Sequence, residues 1–298
     1  MFKPAAAART ETGPVAPHRR LRRAANLAVV LAGSFFALYP LVMIVGASFN
    51  PTNSLSGQTL IPRQFSLVNY QTLLASEYTP ILKWLTNSIL VSFSSSLLTL
   101  TMTTLAAYAF SRFRFRGRRE SLLATLVIQV FPTVAAIVAI YALLKQLGDI
   151  IPWLGLNSLG GLVLIYTGGA LGANAWLMKG YFDTIPRELD EAAHIDGASH
   201  WLTFTDIILP IIRPVLAVIT LISFIGSFND YLLPRVLLND SEVYTLAVGM
   251  TIFLNNQFSV NWGVFSAGAL IGALPIILLF LILQTQIIGG LTRGAVKS

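Results

Sequence analysis

The sequence predicts an all-α polytopic membrane protein with six transmembrane helices. Of its 298 residues, 55% are hydrophobic and only 11% are charged, and the mean hydropathy is +0.70. A soluble domain carries about 25% charged residues, and here the charges lie between long apolar runs. Because the chain has no cysteine, disulfide and thiolate chemistry are excluded.

Six apolar segments are long enough to cross the hydrocarbon core, which takes about 20 helical residues. They cover residues 26–49, 87–110, 121–144, 158–180, 211–233 and 263–288. The first segment follows a basic stretch, as in a secretory signal. Its apolar run is longer than that of a signal, however, and it shows no clear small-residue cleavage site, so we expect an uncleaved span.

Sixteen of the twenty Lys and Arg residues lie on one side of the predicted membrane. The four on the opposite side are Arg63, Lys83, Lys145 and Arg235. Because cytoplasmic loops carry the excess of Lys and Arg, both termini are expected to be cytoplasmic. The same rule explains the net charge of +7. Nucleic-acid binding is disfavoured, because the sequence shows no basic groove with stacking aromatic residues.

The predicted spans contain residues that favour helix packing rather than ion transport. The second span is rich in Ser and Thr, which favours close packing and hydrogen bonds between helices. Pro132 lies within the third span, where a missing N–H loosens the backbone. No chain of Asp, Glu or His crosses the bilayer, as a proton relay would require.

A polar insert at residues 183–210 separates the fourth and fifth spans and carries six of the thirteen acidic residues. Pro186 is placed to open a helix, and Gly197 is placed to end it. Ser199 can cap a second helix, which Pro210 is expected to end. The insert therefore predicts a helix–turn–helix on the cytoplasmic side.

The first helix of the insert offers small side chains beside negative charges. Ala192 and Ala193 permit close approach of another surface, next to Glu188, Asp190 and Glu191. Two interpretations stay open: a partner protein with an apolar groove and a basic rim docks here, or the helix pair only stiffens a loop. An acidic face disfavours the anionic inner leaflet, which favours the protein partner.

The spacing of the insert resembles the EAA signature of bacterial ABC-importer permeases. Segments such as "AYAFSRFRFRG", "MKGYFDTIPRELDEAA" and "GGLTRGAVKS" are similar to the MalG-type subunit of maltose/maltodextrin importers, over roughly residues 26–298. The resemblance predicts an ABC-importer-permease core for the six helices. The residues that carry the signature are Glu191, Ala192, Ala193, Gly197, Leu209 and Pro210.

The basic charge of residues 1–25 predicts a cytoplasmic N-terminal tail. The resemblance implies a permease domain at 26–290 and a C-terminal tail at 291–298. It implies a transport subunit of the bacterial inner membrane that is not an enzyme and forms half of a pathway for maltose, maltodextrin or a related α-glucoside. The implied partners are a MalF-like second permease, two copies of a MalK-like ATPase, an extracytoplasmic sugar-binding protein and membrane lipid. The chain has no G-x-x-x-x-G-K-[ST] loop, so ATP and Mg²⁺ are expected on the ATPase, and no cofactor or metal on this chain.

The resemblance also implies roles for three groups of residues. In the insert, Glu191 would make a polar contact in a cleft of the ATPase, the two alanines would pack closely, and Gly197 would form the turn. A second group would reach between the two ATPases: Thr292, Arg293 and Gly294. The ordinary expectation for such a tail is a frayed terminus. A third group would enter the sugar-binding cleft of the receptor: Asn255, Asn256 and Gln257. The alternative is a polar loop that a Trp anchors at the membrane surface.

The alternative function is a stand-alone secondary carrier or channel. It would need ion-coupling charges within the spans and would have no use for the insert. A membrane enzyme is disfavoured because no H-E-x-x-H or G-x-S-x-G motif is present. His194 and His200 lie six residues apart, a poor ligand spacing on one helix, and we interpret them as surface histidines. The segment 228–234 resembles the wider carbohydrate-permease group more than it resembles the best-known maltose subunit. The identity of the transported sugar therefore stays open.

Overall fold

The computed structural model describes residues 17–52, 59–76, 79–130, 132–254 and 261–295. Across these ranges the regular structure is helical, without strands. The α-helices are α1 (Pro17–Phe49), α2 (Val68–Ala75), α3 (Ile81–Arg112), α4 (Arg118–Val130), α5 (Thr133–Ile150), α6 (Leu159–Asp183), α7 (Glu188–Ile195), α8 (His200–Leu202), α9 (Leu209–Asn229), α10 (Leu232–Leu237), α11 (Leu246–Met250) and α12 (Trp262–Ala295).

The prediction of an all-α polytopic membrane protein is confirmed. Five helical segments of the described chain are long and apolar enough to cross a membrane, and they lie in α1, α3, α6, α8–α9 and α12. Helices α4 and α5 are bent by 106° relative to each other and form a sixth candidate crossing when the pair is counted as one span. The predicted third span at 121–144 is therefore divided between two helices at Pro132, where the sequence predicts a loosened backbone. Pro132, which has no N–H to continue the α4 ladder, precedes α5 with an extended backbone.

Helix α3 is the central element of the bundle and packs mainly against α6 and α9. Eight Ser and Thr residues of α3 are buried: Ser88, Ser92, Ser95, Ser96, Thr99, Thr103, Thr104 and Ser111. The hydroxyls of Thr103 and Thr104 donate to carbonyls one turn earlier, at 2.6 Å each. Three of the eight bond to other helices. Ser95 Oγ lies 3.4 Å from the Ser227 hydroxyl of α9, the Ser111 hydroxyl donates to Asp183 of α6, and the Ser88 hydroxyl accepts from the Leu246 N–H of α11.

The predicted hydrogen bonds between helices are thus present at three positions, whereas Ser96, Thr103 and Thr104 bond to carbonyls of α3 itself. The reason is local geometry, because a helical Ser or Thr reaches its own i−4 carbonyl without help from a neighbour. These residues also favour helix packing through their small side chains, which let α6 and α9 approach the α3 backbone closely.

One end of the bundle is closed by side chains that bond to backbone groups of distant loops. The Trp84 indole Nε1 donates to the Ser241 carbonyl at 2.8 Å. Asn157 has a positive φ of 57°, and its Oδ1 accepts from the backbone N–H groups of Asn239 and Asp240 at 2.9 Å each. These contacts hold the loops after α5 and α10 against the start of α3. The distribution of Lys and Arg predicts that this end faces the outside of the cell.

The opposite end gathers the Arg-rich loop after α3, the end of α6 and the insert before α9. A buried apolar cluster joins these elements, and Tyr108 lies at its centre, with ring centroids 4.8 Å from Phe204 and 5.8 Å from Phe182. Its other large members are Met178, Ile185, Ile208 and Ile212. The insert is therefore part of the packed protein rather than a free loop.

Candidate functional site

The insert has the helix–turn–helix structure that its sequence predicts. Helix α7 begins at Glu188 and ends at Ile195, and Gly197 follows in the left-handed region at φ +87°. The Ser199 hydroxyl accepts from the Leu202 N–H at 3.2 Å and caps the second helix. The left-handed backbone at Gly197 and the cap at Ser199 thus bring the start of α8 back beside the end of α7.

The second helix does not end at Pro210, so this part of the prediction is wrong. Helix α8 continues through a π-helical segment, Thr203–Ile208, directly into α9. The Leu209 N–H donates to the Phe204 carbonyl, five residues earlier. The wider π turn lies immediately before Pro210, which has no N–H and stands at the first turn of α9. The insert is consequently continuous with a membrane-spanning helix.

A buried ion pair fixes α7 to the end of α3. Arg112 Nε lies 3.0 Å from Asp190 Oδ2, without the alignment of a hydrogen bond, and the two side chains are only 7% and 15% exposed. Arg112 Nη2 also donates to the Ile185 carbonyl at 3.1 Å. One guanidinium group therefore contacts both α7 and the connection that leads into it.

Further contacts attach the start of the insert to α3 and α6. Arg187 Nη2 donates to the Ser111 carbonyl at 3.0 Å. The Ser111 hydroxyl donates to Asp183 Oδ1 at 2.7 Å, and Lys179 forms an ion pair with the same carboxylate. The ends of two membrane helices and the insert are thus joined by charged and hydroxyl groups.

The acidic residues of α7 do not all face outward as the sequence analysis expects. Asp190 points into the protein toward Arg112, whereas Glu188 and Glu191 are exposed. The two alanines divide in the same way, since Ala193 is only 5% exposed and Ala192 lies on the surface. The surface of α7 therefore presents Glu191 and Ala192, while Asp190 and Ala193 anchor the helix.

An exposed apolar side chain at the end of α7 was missed by the sequence analysis. Ile195 is 87% exposed, more than any other large apolar residue in the described chain. It lines a cleft of about 380 Å³ between the insert and the end of α3. The other lining residues are Tyr108, Arg112, Phe113, Arg187, Asp190, Glu191, His194 and His200.

His194 and His200 are surface residues, as predicted, but they are also neighbours. His194 Nε2 lies 2.8 Å from His200 Nδ1, and His194 Nδ1 lies 2.6 Å from the Asp190 carbonyl. The spacing argument assumed one helix, whereas the turn at Gly197 folds the two residues together. No group of three or more potential metal ligands occurs among the described residues.

The remaining predicted site residues lie elsewhere. Leu209 is half-buried beside the apolar cluster, and Pro210 is half-buried in α9. The backbone of α12 continues through the tail residues Thr292, Arg293 and Gly294. The predicted receptor-facing residues Asn255, Asn256 and Gln257 lie outside the described residues.

Comparison with known proteins identifies the family of this chain. Residues 99–289 match the model of the binding-protein-dependent transport system inner membrane component. The maltose/maltodextrin permease protein MalG of Vibrio vulnificus is 43% identical over 271 residues, covering 87% of this chain and 90% of its own. The maltodextrin permease protein MdxG of Bacillus subtilis is 41% identical over 264 residues, covering 89% and 92%.

A solved structure supports the fold independently. A chain of a bacterial ABC transporter involved in the import of alginate superimposes with a TM-score of 0.76 at 24% identity, covering 92% of this chain and 99% of that one. At this identity the similarity concerns the fold alone. Together with the family match and the relatives above, the comparison leads to one conclusion: the chain belongs to the family of binding-protein-dependent transport system inner membrane components and is a permease subunit of an ABC importer.

Proposed function

We propose that this chain is one of two membrane subunits of an ATP-driven importer of maltose, maltodextrin or a related α-glucoside. The named relatives at 41–43% identity are maltose/maltodextrin permeases, and they align over nearly nine tenths of the chain. The second membrane subunit is MalF-like and supplies the other half of the pathway. An extracytoplasmic sugar-binding protein delivers the sugar, and Asn255, Asn256 and Gln257 face this receptor.

The insert is proposed as the coupling element for two copies of a MalK-like ATPase, which bind ATP and Mg²⁺. The observation that carries this proposal is the attachment of α7, because its inner face is fixed by the Arg112–Asp190 pair while Glu191 and Ala192 remain exposed. A helix held in this way moves with the membrane helices instead of swinging independently. Thr292, Arg293 and Gly294 extend the contact with the ATPases, and both termini are cytoplasmic.

The mechanism follows from rigid attachment. Receptor docking outside and closure of the ATPases inside are linked by rigid-body rocking of the helix bundles. Displacement of α7 reaches α3 through Arg112 and Arg187, and it reaches α9 through the continuous α8–α9 helix. The chain itself performs no covalent chemistry in this scheme.

Uptake of radiolabelled sugars tests the substrate class. Cells that produce the chain with its partner subunits and receptor are given maltose, longer maltodextrins, trehalose and an unrelated β-linked disaccharide. We expect accumulation of α-linked glucosides only. Accumulation of the β-linked sugar alone would contradict the assignment.

A charge reversal tests the coupling role separately. Glu191→Lys reverses an exposed charge on α7, and we expect loss of uptake with normal membrane insertion. Asp149→Lys is the matched control, because Asp149 is an exposed carboxylate near the opposite end of the bundle. Equal uptake by the two variants would remove α7 from the coupling scheme.

Co-purification separates the importer from the stand-alone carrier or channel. A tagged full-length chain is extracted in mild detergent from cells that also produce the proposed partner subunits. We expect an ABC ATPase and a second permease in the eluate at constant ratio. Sugar flux by the purified chain alone, without ATP, would support the carrier instead.

A further inference from the structure

A second cleft at the insert-bearing end of the bundle has a different character from the one beside α7. It measures about 440 Å³ and lies between the Arg-rich loop, the start of α4 and the end of α6. Its charged lining consists of Arg118, Arg119, Lys179 and Glu120, with Phe115 and Leu122 as apolar walls. Because Lys179 is paired with Asp183, Arg118 and Arg119 supply the positive charge of a space that is large enough for a phosphodiester headgroup.

The two arginines of this cleft make no direct polar contact within the described chain, although the charge of Arg118 also acts on the nearby Asp183 carboxylate. Neither Arg118 nor Arg119 has a hydrogen bond or an ion pair with any residue that the structure describes. Arg112 and Arg187, by contrast, are occupied by Asp190, Ile185 and Ser111. Arg118 is half-buried and Arg119 is exposed. Both guanidinium groups are available to an external anion, because guanidinium groups form strong charge-assisted bonds with phosphate.

The cleft continues into an apolar surface along both helices. On α4, Arg119 shares one face with Leu123 and Val127, which follow at four-residue intervals and are 49% and 69% exposed. On α6, Trp176 lies one turn before Lys179 and is 49% exposed. The glycine at Gly172 allows close packing, since an added Cβ there would lie 2.8 Å from the Thr125 carbonyl oxygen of α4.

We infer that this cleft binds the headgroup phosphate of an anionic phospholipid, with the acyl chains lying along Leu123 and Val127. The arrangement places positive charge at the membrane boundary and apolar side chains immediately below it, which matches the two parts of a lipid. Basic pockets between membrane helices on the cytoplasmic side bind lipid headgroups in this manner. The inference uses the proposed cytoplasmic orientation of this end, and it does not depend on the transported sugar.

The test is retention of lipid by the full-length chain, measured by native mass spectrometry in mild detergent. Phosphatidylglycerol and phosphatidylcholine are added at equal concentration, and we expect preferential retention of phosphatidylglycerol. Removing the two charges in Arg118→Gln/Arg119→Gln is expected to weaken this retention about thirtyfold, since each of the two cations near the surface contributes roughly 1 kcal/mol.

A matched double variant gives the control. Arg114→Gln/Arg116→Gln removes the same charge from the same loop, but neither residue lines the cleft. Equal losses in the two double variants, or no loss in either, would overturn the site. A third arm adds inorganic phosphate at millimolar concentration: displacement of the lipid by phosphate would overturn lipid binding in favour of a soluble phosphate ligand. Because no arm measures uptake, the outcome is independent of the importer assignment.

Discussion

The guanidinium group of Arg112, the last residue of α3, lies 3.0 Å from the Asp190 carboxylate of α7. Neither side chain is more than 15% exposed, so the pair is shielded from solvent and salt. It joins a membrane-spanning helix to the surface element that we propose as the contact with the ATPase. Any motion of α7 therefore acts directly on the central helix of the bundle.

Arg112→Gln is expected to destabilise the protein by about 3 kcal/mol, because it leaves Asp190 buried without a counter-charge. Thermal unfolding of the purified protein measures this effect. Lys83→Gln is the control, since Lys83 pairs with Glu242 at the opposite end with both side chains about half exposed, and exposed pairs contribute under about 1 kcal/mol. Similar losses in the two variants would show that the Arg112–Asp190 pair has no special role.

Gly197→Ala is expected to destabilise the turn of the insert by about 1 kcal/mol, since an L-residue is strained at φ +87°. An added Cβ would meet no atom within 4 Å, so the cost is confined to the backbone. Gly180→Ala is the matched control, because Gly180 lies within α6 and is equally unobstructed. Thermal unfolding should show a loss for the first and no loss for the second; the reverse order would contradict the proposed turn.

Ile195→Ser is expected to weaken retention of the ATPase about tenfold without lowering the unfolding temperature. An isoleucine that is 87% exposed contributes little to this chain's own core, whereas its burial in a partner is worth about 1.5–3 kcal/mol. Quantitative co-purification measures retention. Asp196→Ser, at the adjacent exposed position, should leave it unchanged. A drop in unfolding temperature for Ile195→Ser would indicate an internal role instead.

Membrane orientation can be tested by labelling, because the chain has no cysteine. Ala192→Cys and Asn239→Cys place single thiols at exposed positions on opposite ends of the bundle. A membrane-impermeant maleimide added to intact spheroplasts is expected to label residue 239 only. Residue 192 should react after permeabilisation. Labelling of residue 192 in intact spheroplasts would place the insert outside and refute the coupling role.

Local signals in the sequence were sufficient to predict most of the architecture. The apolar runs identify the spans because the bilayer sets a minimum helix length. The insert is equally predictable, since Gly197 and Ser199 act on their nearest neighbours through backbone conformation and capping. These features depend on chemistry within a few residues, which a single sequence contains in full.

Features that depend on tertiary contacts were not predictable in the same way. The charge of Arg112 was counted only as part of a basic loop, because nothing near it in the sequence shows that it pairs with Asp190. The alternation of exposed and buried positions on α7 carried a usable signal, since Asp190 and Ala193 lie three residues apart on one face. The predicted helix end at Pro210 is wrong because the π segment before it accommodates a residue that usually ends a helix.

The π segment Thr203–Ile208 also sets the rotational phase between the insert and the membrane helix that follows. A π turn contains about one residue more than an α turn, and each helical residue corresponds to a rotation of about 100°. If the same six residues adopted regular α geometry instead, α7 would turn by roughly a quarter of a circle about the α9 axis. Asp190 would then point away from its arginine, so the angular alignment of the two halves rests on one surplus residue.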